Sequence, residues 1–243
     1  MSRAALPRIW AVLPAAGVGR RMGADIPKQY LDLLGHPIVG WTLDRLLGHP
    51  AVHAGVIALA ADDPHWDALG YRHAKPLHRV VGGAERVDSV AAALTAMEAW
   101  AAPEDWVMVH DAVRPCVSTG ELDRLAEQCP DASDGALLAM PVRDTLKRGD
   151  QNAIVECTVD RERLWHAFTP QLFPLAKLRE ALAAARAKGV TVTDEAQAME
   201  LAGYRPRLVE AEATNIKVTR RADLGLAAAI LHGEQSTAGT SCV

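Results

Sequence analysis

Short apolar runs alternate with amphipathic segments along most of this 243-residue chain. An apolar run of about 4–8 residues that ends at a glycine or proline is typical of a strand buried on both faces. The runs that predict such strands are 9–13, 55–60, 79–81, 106–109, 136–142 and 208–211. Segments with helical spacing of apolar residues follow most of them, as in 37–48. This order predicts an α/β fold with a Rossmann-like, mostly parallel sheet and helices on both of its faces.

One segment, 143–168, departs from this alternation. It contains several basic side chains and the alternating positions Ile154, Glu156 and Thr158, a pattern that favours strands with one exposed face. We therefore expect a single domain over residues 1–233 with a protruding β-rich arm at 143–168. The small and polar residues from 234 to 243 predict a disordered tail.

Composition limits the classes of protein to which the chain can belong. Hydrophobic residues make up 49% and charged residues 23%, a balance typical of a globular protein. The formal net charge of −4 gives no overall positive field for a nucleic-acid backbone, so any phosphate binding has to be local. The cysteines at 116, 129, 157 and 242 lack metal-site spacing. Because neither a signal peptide nor a membrane-spanning run is evident, we expect a cytoplasmic protein that binds neither nucleic acid nor membrane.

A glycine-containing loop follows the first predicted strand. It has the sequence PAAGVGRRM at residues 14–22, and Lys28 comes shortly after it. Gly17 and Gly19 let backbone N–H groups approach phosphate oxygens closely. Arg21 and Lys28 add positive charge where a triphosphate needs it. A lone glycine pair would be explained by an ordinary turn, but the added charges favour phosphate binding.

Two common phosphate-binding loops have a different spacing. A Walker A loop requires Gly-Lys followed by Ser or Thr, and the chain has no such triplet. A dinucleotide-binding loop requires a third glycine where this chain has Met22. The loop is therefore predicted to bind a nucleotide in another manner.

Asp111 comes directly after the strand predicted at 106–109. Ligands of open α/β sheets bind at the carboxyl ends of the strands, and Mg²⁺ takes few protein carboxylates together with substrate phosphates. Asp111 is therefore a candidate metal ligand, although a helix cap or an ion pair with Arg114 would also explain it. The neighbouring His110 is assigned no catalytic role, because a single histidine at a strand end is more often structural.

Further motifs are spread over nearly the whole chain. They are GAERVDS at 83–89, VHDAVRP at 109–115, RDTLK at 143–147, TPQ at 169–171, TDEA at 193–196 and NIKVT at 215–219. With the glycine loop and PKQY at 27–30, they resemble the 2-C-methyl-D-erythritol 4-phosphate cytidylyltransferase family. The resemblance implies a fold of the nucleotide-diphospho-sugar transferase type.

The resemblance also implies roles for individual residues. Those implied in catalysis are Arg21, Lys28 and Lys217. Those implied in nucleotide binding are Ala15, Ala16, Gly17, Gly19, Gly83, Ala84, Ser89 and Ala112. Those implied in binding the acceptor are Arg114, Thr145, Arg161, Thr169, Thr193 and Lys217, and Asp111 is implied as the metal ligand. Ala84 stands where many relatives have Asp, and Arg86 is equally well explained as a surface charge.

Members of this family transfer the CMP moiety of CTP to 2-C-methyl-D-erythritol 4-phosphate and release pyrophosphate, in the non-mevalonate route to isoprenoid precursors. The resemblance therefore implies CTP and methylerythritol 4-phosphate as substrates, and Mg²⁺ or another divalent cation as cofactor. It also implies a homodimer in which the arm is exchanged and Arg161 completes the site of the second subunit.

Three alternatives stay open. A ribitol 5-phosphate cytidylyltransferase would share the fold and most of the motifs. A sugar 1-phosphate pyrophosphorylase would use another nucleotide, whereas residues 83–89 favour CTP. A CTP-binding module without catalysis would not need Arg21, Lys28, Asp111 and Lys217 together.

Overall fold

The computed structural model describes residues 8–17, 26–129 and 133–239. Its central feature is a seven-stranded sheet, which confirms the predicted α/β fold with a mostly parallel sheet. The strands of the chain are β1 Ile9–Pro14, β2 Asp32–Leu33, β3 His36–Pro37, β4 Val52–Leu59, β5 Leu77–Val81, β6 Trp106–Val109, β7 Ala136–Pro141, β8 Leu146–Gly149, β9 Val155–Val159, β10 Trp165–Pro174 and β11 Arg207–Glu210. The order in the large sheet is β11-β7-β10-β6-β1-β4-β5.

Helices cover both faces of this sheet. They are α1 Ile38–Gly48, α2 Pro64–Leu69, α3 Arg86–Ala96, α4 Thr119–Ala126, α5 Leu175–Ala187, α6 Glu195–Leu201 and α7 Arg221–Gly239. Alternate residues of β1 supply the two cores, since Ala11 and Leu13 pack with α1 and α4, whereas Trp10 and Val12 pack with α3, α5 and α6. Because β1 is buried on both faces, its sequence is a continuous apolar run.

Strand β10 is the part of the large sheet that the alternation did not predict. It lies between β6 and β7 and runs antiparallel to both. Its sequence contains Pro170 and ends at Pro174, and proline inside a run argues against a central strand. The sheet accommodates Pro170 because the register with β7 shifts between Ala167 and Gln171.

The predicted β-rich arm is present as a hairpin. Strands β8 and β9 pair antiparallel and form a sheet of their own. Ile154 and Val155 at this hairpin are 65% and 59% exposed. Apolar side chains with this exposure are available for contact with another surface.

Residues 234–239 of the segment predicted as a disordered tail are helical in the structure. Helix α7 continues to Gly239, beyond Leu231, where the periodic apolar pattern ends. Glu234 forms an ion pair with Arg45 of α1, and no proline interrupts the segment. Among the described helices, none is both long enough and apolar enough to cross a bilayer.

Gly135, directly before β7, offers a test of the packing around β10. Its φ is +88°, and an added Cβ would overlap the Phe173 ring and lie 2.7 Å from the Leu172 carbonyl oxygen. Gly203 has a similar φ of +90° but open space around it. We expect Gly135→Ala to lower the free energy of unfolding by about 3 kcal/mol, and Gly203→Ala by only about 1 kcal/mol.

Urea denaturation of the two variants and the parent protein measures this difference. Equal losses for Gly135→Ala and Gly203→Ala would show that backbone conformation alone, rather than contact with β10, requires glycine at position 135.

Candidate active site

A cavity of about 490 Å³ opens at the carboxyl ends of β1, β5 and β6. Its lining comprises Pro14, Ala15, Ala16, Gly17, Lys28, Gln29, Gly83, Ala84, Glu85, Arg86, Ser89, Asp111, Ala112, Val113, Lys217 and Thr219. The lining therefore combines small residues with several charged ones. It contains most of the residues predicted to bind the nucleotide, whereas Gly19 and Arg21 lie outside the described part of the chain.

The loop after β1 is held by the buried side chain of Gln29. Its Nε2 atom donates to the carbonyl oxygens of Ala15 at 2.9 Å and of Gly17 at 3.2 Å. Gln29 lies in a short 3₁₀ turn, Lys28–Tyr30, so the same contacts place Lys28 beside the loop. Tyr30 extends this support through a hydrogen bond of 2.7 Å to Asp63.

The loop after β5 approaches the loop after β1 very closely. A Cβ at Gly82 would lie 2.6 Å from Cβ of Ala16 and 2.7 Å from Oγ of Ser89, so only glycine fits there. The Gly83 N–H group donates to Ser89 Oγ at 3.2 Å, and that hydroxyl donates to the Glu85 carbonyl oxygen at 3.2 Å. Two loops of small residues thus form a wall from which backbone groups can contact a flat ring.

Asp111 is the centre of the charged part of the cavity. Its Oδ1 atom accepts from Arg86 Nε at 2.9 Å, and its Oδ2 atom contacts Lys217 Nζ at 2.9 Å and Arg114 Nε at 3.3 Å. Burial would raise the pKa of this carboxyl, but the charges of Arg86 and Lys217 outweigh burial and hold the pKa well below its usual range. Asp111 is therefore an ionised carboxylate surrounded by cations.

Two residues of this cluster were not singled out from the sequence. Arg86 could not be distinguished from a surface charge, yet its side chain is only 28% exposed and it pairs with Asp111. Glu195 is fully buried and binds the Arg86 guanidinium. These residues lie 109 positions apart, so local sequence carries no signal for their contact; the available hint was that both lie in motifs of the family.

Lys217 reaches the cavity from an extended segment. The segment around Ile216 and Val218 lies outside every strand described. A backbone hydrogen bond of 2.9 Å, from Val218 N–H to the Val113 carbonyl oxygen, ties it to the loop after β6. The Arg114 Nη1 atom adds a contact of 2.7 Å to the carbonyl oxygen of Asn215.

His110 is a structural residue in this arrangement. Its Nε2 atom donates to the Arg114 carbonyl oxygen at 3.1 Å, and the Thr169 hydroxyl donates to its Nδ1 atom at 2.9 Å. Thr169 Oγ1 in turn accepts from the Asp111 N–H group at 3.1 Å. Burial lowers the pKa of the imidazole to about 3, so it stays neutral. Both ring nitrogens are engaged, and the ring holds the backbone that positions Asp111.

The residues implied in acceptor binding do not all meet at this cavity. Lys217 lines it, while Arg114 and Thr169 support Asp111 from behind. Thr145 and Arg161 belong to the exposed arm, where Arg161 donates to the Arg143 carbonyl oxygen. Thr193 lies before α6, is exposed, and donates from its hydroxyl to the side chain of Gln197 within that helix. None of these last three lines the cavity.

The carboxylate of Asp111 is the candidate ligand for a divalent cation here. Among the described residues, no three His, Cys, Asp or Glu side chains are grouped as metal ligands. Mg²⁺ does not require such a group, because it commonly binds one or two carboxylates together with substrate phosphates and water. An ionised Asp111 in the cavity wall fits this mode of binding.

A sequence profile of the family described as 2-C-methyl-D-erythritol 4-phosphate cytidylyltransferase matches residues 9–233. The chain is 63% identical over 233 residues to the 2-C-methyl-D-erythritol 4-phosphate cytidylyltransferase of Halorhodospira halophila, with 94% of this chain and 96% of the relative covered. The corresponding protein of Pseudomonas paraeruginosa is 50% identical over 225 residues, with 92% and 96% covered.

Solved structures agree with these sequence relationships. The crystal structure of the Francisella tularensis cytidylyltransferase of the same name superposes with a TM-score of 0.79 at 35% identity, covering 92% of this chain and 99% of that one. That of the Thermus thermophilus protein superposes with a TM-score of 0.76 at 35% identity, covering 93% and 99%. The chain belongs to the 2-C-methyl-D-erythritol 4-phosphate cytidylyltransferase family.

Proposed function

We propose that this protein transfers the CMP moiety of CTP to 2-C-methyl-D-erythritol 4-phosphate, yielding 4-diphosphocytidyl-2-C-methyl-D-erythritol and pyrophosphate. The observation that carries the proposal is the pairing of two features in one cavity. Small residues of the loops after β1 and β5 leave room for a base. Lys28 and Lys217 supply positive charge for phosphates, and Asp111 offers a carboxylate for a divalent cation. Membership of the family supports the choice of nucleotide and acceptor.

The chemistry requires position and positive charge rather than a strong base. A phosphate oxygen of the acceptor attacks the α-phosphorus of CTP, and the bond to pyrophosphate breaks. The attacking monoester is already ionised near neutral pH, so the neutral His110 is not needed. Lys28 and Lys217 line the cavity and can stabilise the negative charge that shifts towards the leaving group. Arg21 is assigned the same role by family resemblance and lies outside the described residues.

We propose Asp111 as the protein ligand of Mg²⁺ or another divalent cation, which neutralises phosphate charge when it is bound. The carboxylate is ionised for the reason given above and lies in the cavity wall. The Lys217 side chain that contacts Asp111 is 38% exposed. A divalent metal ion could therefore replace the Lys217 ammonium group beside Asp111 without disturbing the core.

We further propose that the protein acts as a homodimer in which the arm reaches the partner. Thr145 and Arg161 do not line the cavity of their own chain, although family resemblance assigns both to acceptor binding. The hairpin also presents Ile154 and Val155 to solvent. Exchange of the arm would cover these apolar side chains and bring Arg161 of the partner subunit to the acceptor.

The proposed reaction predicts acceptor-dependent release of pyrophosphate. Purified protein with CTP and Mg²⁺ should release pyrophosphate with 2-C-methyl-D-erythritol 4-phosphate and much less with ribitol 5-phosphate. A preference for ribitol 5-phosphate would keep the chemistry but change the substrate. Binding of CTP without release with either acceptor would indicate a nucleotide-binding module.

Arm exchange predicts complementation between two defective chains. Asp111→Asn and Arg161→Ala should each have little activity as homodimers. Co-expression of differently tagged chains gives heterodimers in which one site combines an intact Asp111 with an intact Arg161 from the other chain. We expect about a quarter of the wild-type activity from a random mixture of subunits, measured as pyrophosphate release per chain. No gain over the separate variants would place Arg161 in its own chain's site or outside any site.

A further inference from the structure

Arg86 spans two carboxylates that come from distant parts of the chain. Its Nη1 and Nη2 atoms donate to Glu195 Oε1 at 2.7 Å and Oε2 at 2.9 Å, while Nε donates to Asp111 Oδ1 at 2.9 Å. A two-point contact of this kind fixes the plane of the guanidinium group. The direction in which Nε–H points at Asp111 is therefore fixed as well.

Glu195 gives Arg86 a rigid support. Its side chain is fully buried at the first position of α6, where the positive end of the helix dipole favours a negative charge. A buried carboxylate is costly unless it is paired and hydrogen-bonded, and Arg86 satisfies both of its oxygens. Gln171 anchors the same helix end by accepting from the Ala196 N–H group at 2.8 Å.

The formal charges of Arg86 and Glu195 cancel. Arg86 lines the cavity, but together with its partner it adds no net charge to the wall. The lysines in the described lining of the cavity are Lys28 and Lys217. The pair therefore imposes a fixed geometry on Asp111, in addition to the attraction between the guanidinium and the carboxylate.

We propose that Arg86 and Glu195 form a positioning pair that fixes the Asp111 carboxylate for binding and turnover of CTP. Glu195 orients Arg86, and Arg86 holds Oδ1 of Asp111 while Oδ2 contacts Lys217 and Arg114. The proposal rests on the proposed function, because it assigns the pair a part in the handling of CTP.

The test uses a double substitution that leaves the net charge unchanged. Arg86→Gln/Glu195→Gln removes both charges and leaves neither partner buried without the other. We expect this variant to bind CTP about tenfold more weakly in the presence of Mg²⁺, with a comparable loss of kcat, the scale found when residues that orient a metal ligand are changed. The Mg²⁺ concentration for half-maximal rate should also rise, whereas a smaller folded fraction would not change it.

An exposed pair of the same type supplies the control. Arg179 Nη1 lies 2.6 Å from Glu98 Oε1, and the two side chains are 40% and 59% exposed. Arg179→Gln/Glu98→Gln should keep CTP affinity and turnover at the wild-type level. Calorimetric titration with CTP, pyrophosphate release and thermal unfolding are measured for both double variants.

A second variant separates position from charge. Arg86→Lys keeps a cation beside Glu195, so the protein is expected to fold, but an ammonium group cannot reproduce the two-point contact together with the bond to Asp111. It should retain less than about a tenth of the wild-type kcat/KM. Wild-type kcat/KM in Arg86→Lys would overturn the proposal, because charge alone would then suffice.

The remaining outcomes separate this inference from the proposed function. CTP affinity and turnover within about twofold of wild type in Arg86→Gln/Glu195→Gln would overturn the inference. If the parent protein binds CTP but releases no pyrophosphate with either acceptor, the proposed function fails, and the calorimetric comparison decides the inference alone. If the parent protein does not bind CTP, both fail.

Discussion

The ion cluster around Asp111 joins four separate parts of the chain. Arg86 comes from the start of α3, Glu195 from the start of α6, and Lys217 from the segment before α7, while Asp111 follows β6. Charges removed from water need their partners in good geometry, so each of these elements restricts where the others can lie. The sheet places the cluster where ligands of open α/β folds bind, at the carboxyl ends of its strands.

Buried polar groups behind the cluster hold its backbone in place. Thr169 and His110 form a hydrogen-bonded chain that ends at the Asp111 N–H group. Gln29 holds the loop after β1 by donating to the Ala15 carbonyl oxygen. Buried hydrogen-bond networks of this kind favour one arrangement of the loops over others. The cavity is thus preorganised by the chain's own side chains, with Lys28 and Lys217 at its edge and small residues along its wall.

The α/β fold could be predicted from the sequence because its strands are continuous apolar runs bounded by glycine and proline. Strand β10 could not, since its prolines are untypical of a central strand and its antiparallel direction breaks the alternation with helices. Site residues in loops after strands, such as Asp111, were found from position and family motifs. The pairing of Arg86 with Glu195 was not, because an ion pair between residues 109 positions apart has no local pattern.

A single cavity is proposed to hold both the base and the phosphates of CTP. A crystal structure of the protein with CTP and Mg²⁺ would show where each part of the nucleotide lies. We expect the cytosine to lie against the loops at 14–17 and 82–85 and the triphosphate to lie between Lys28 and Asp111. Nucleotide bound away from Asp111, or a triphosphate that contacts neither Lys28 nor Asp111, would contradict this arrangement.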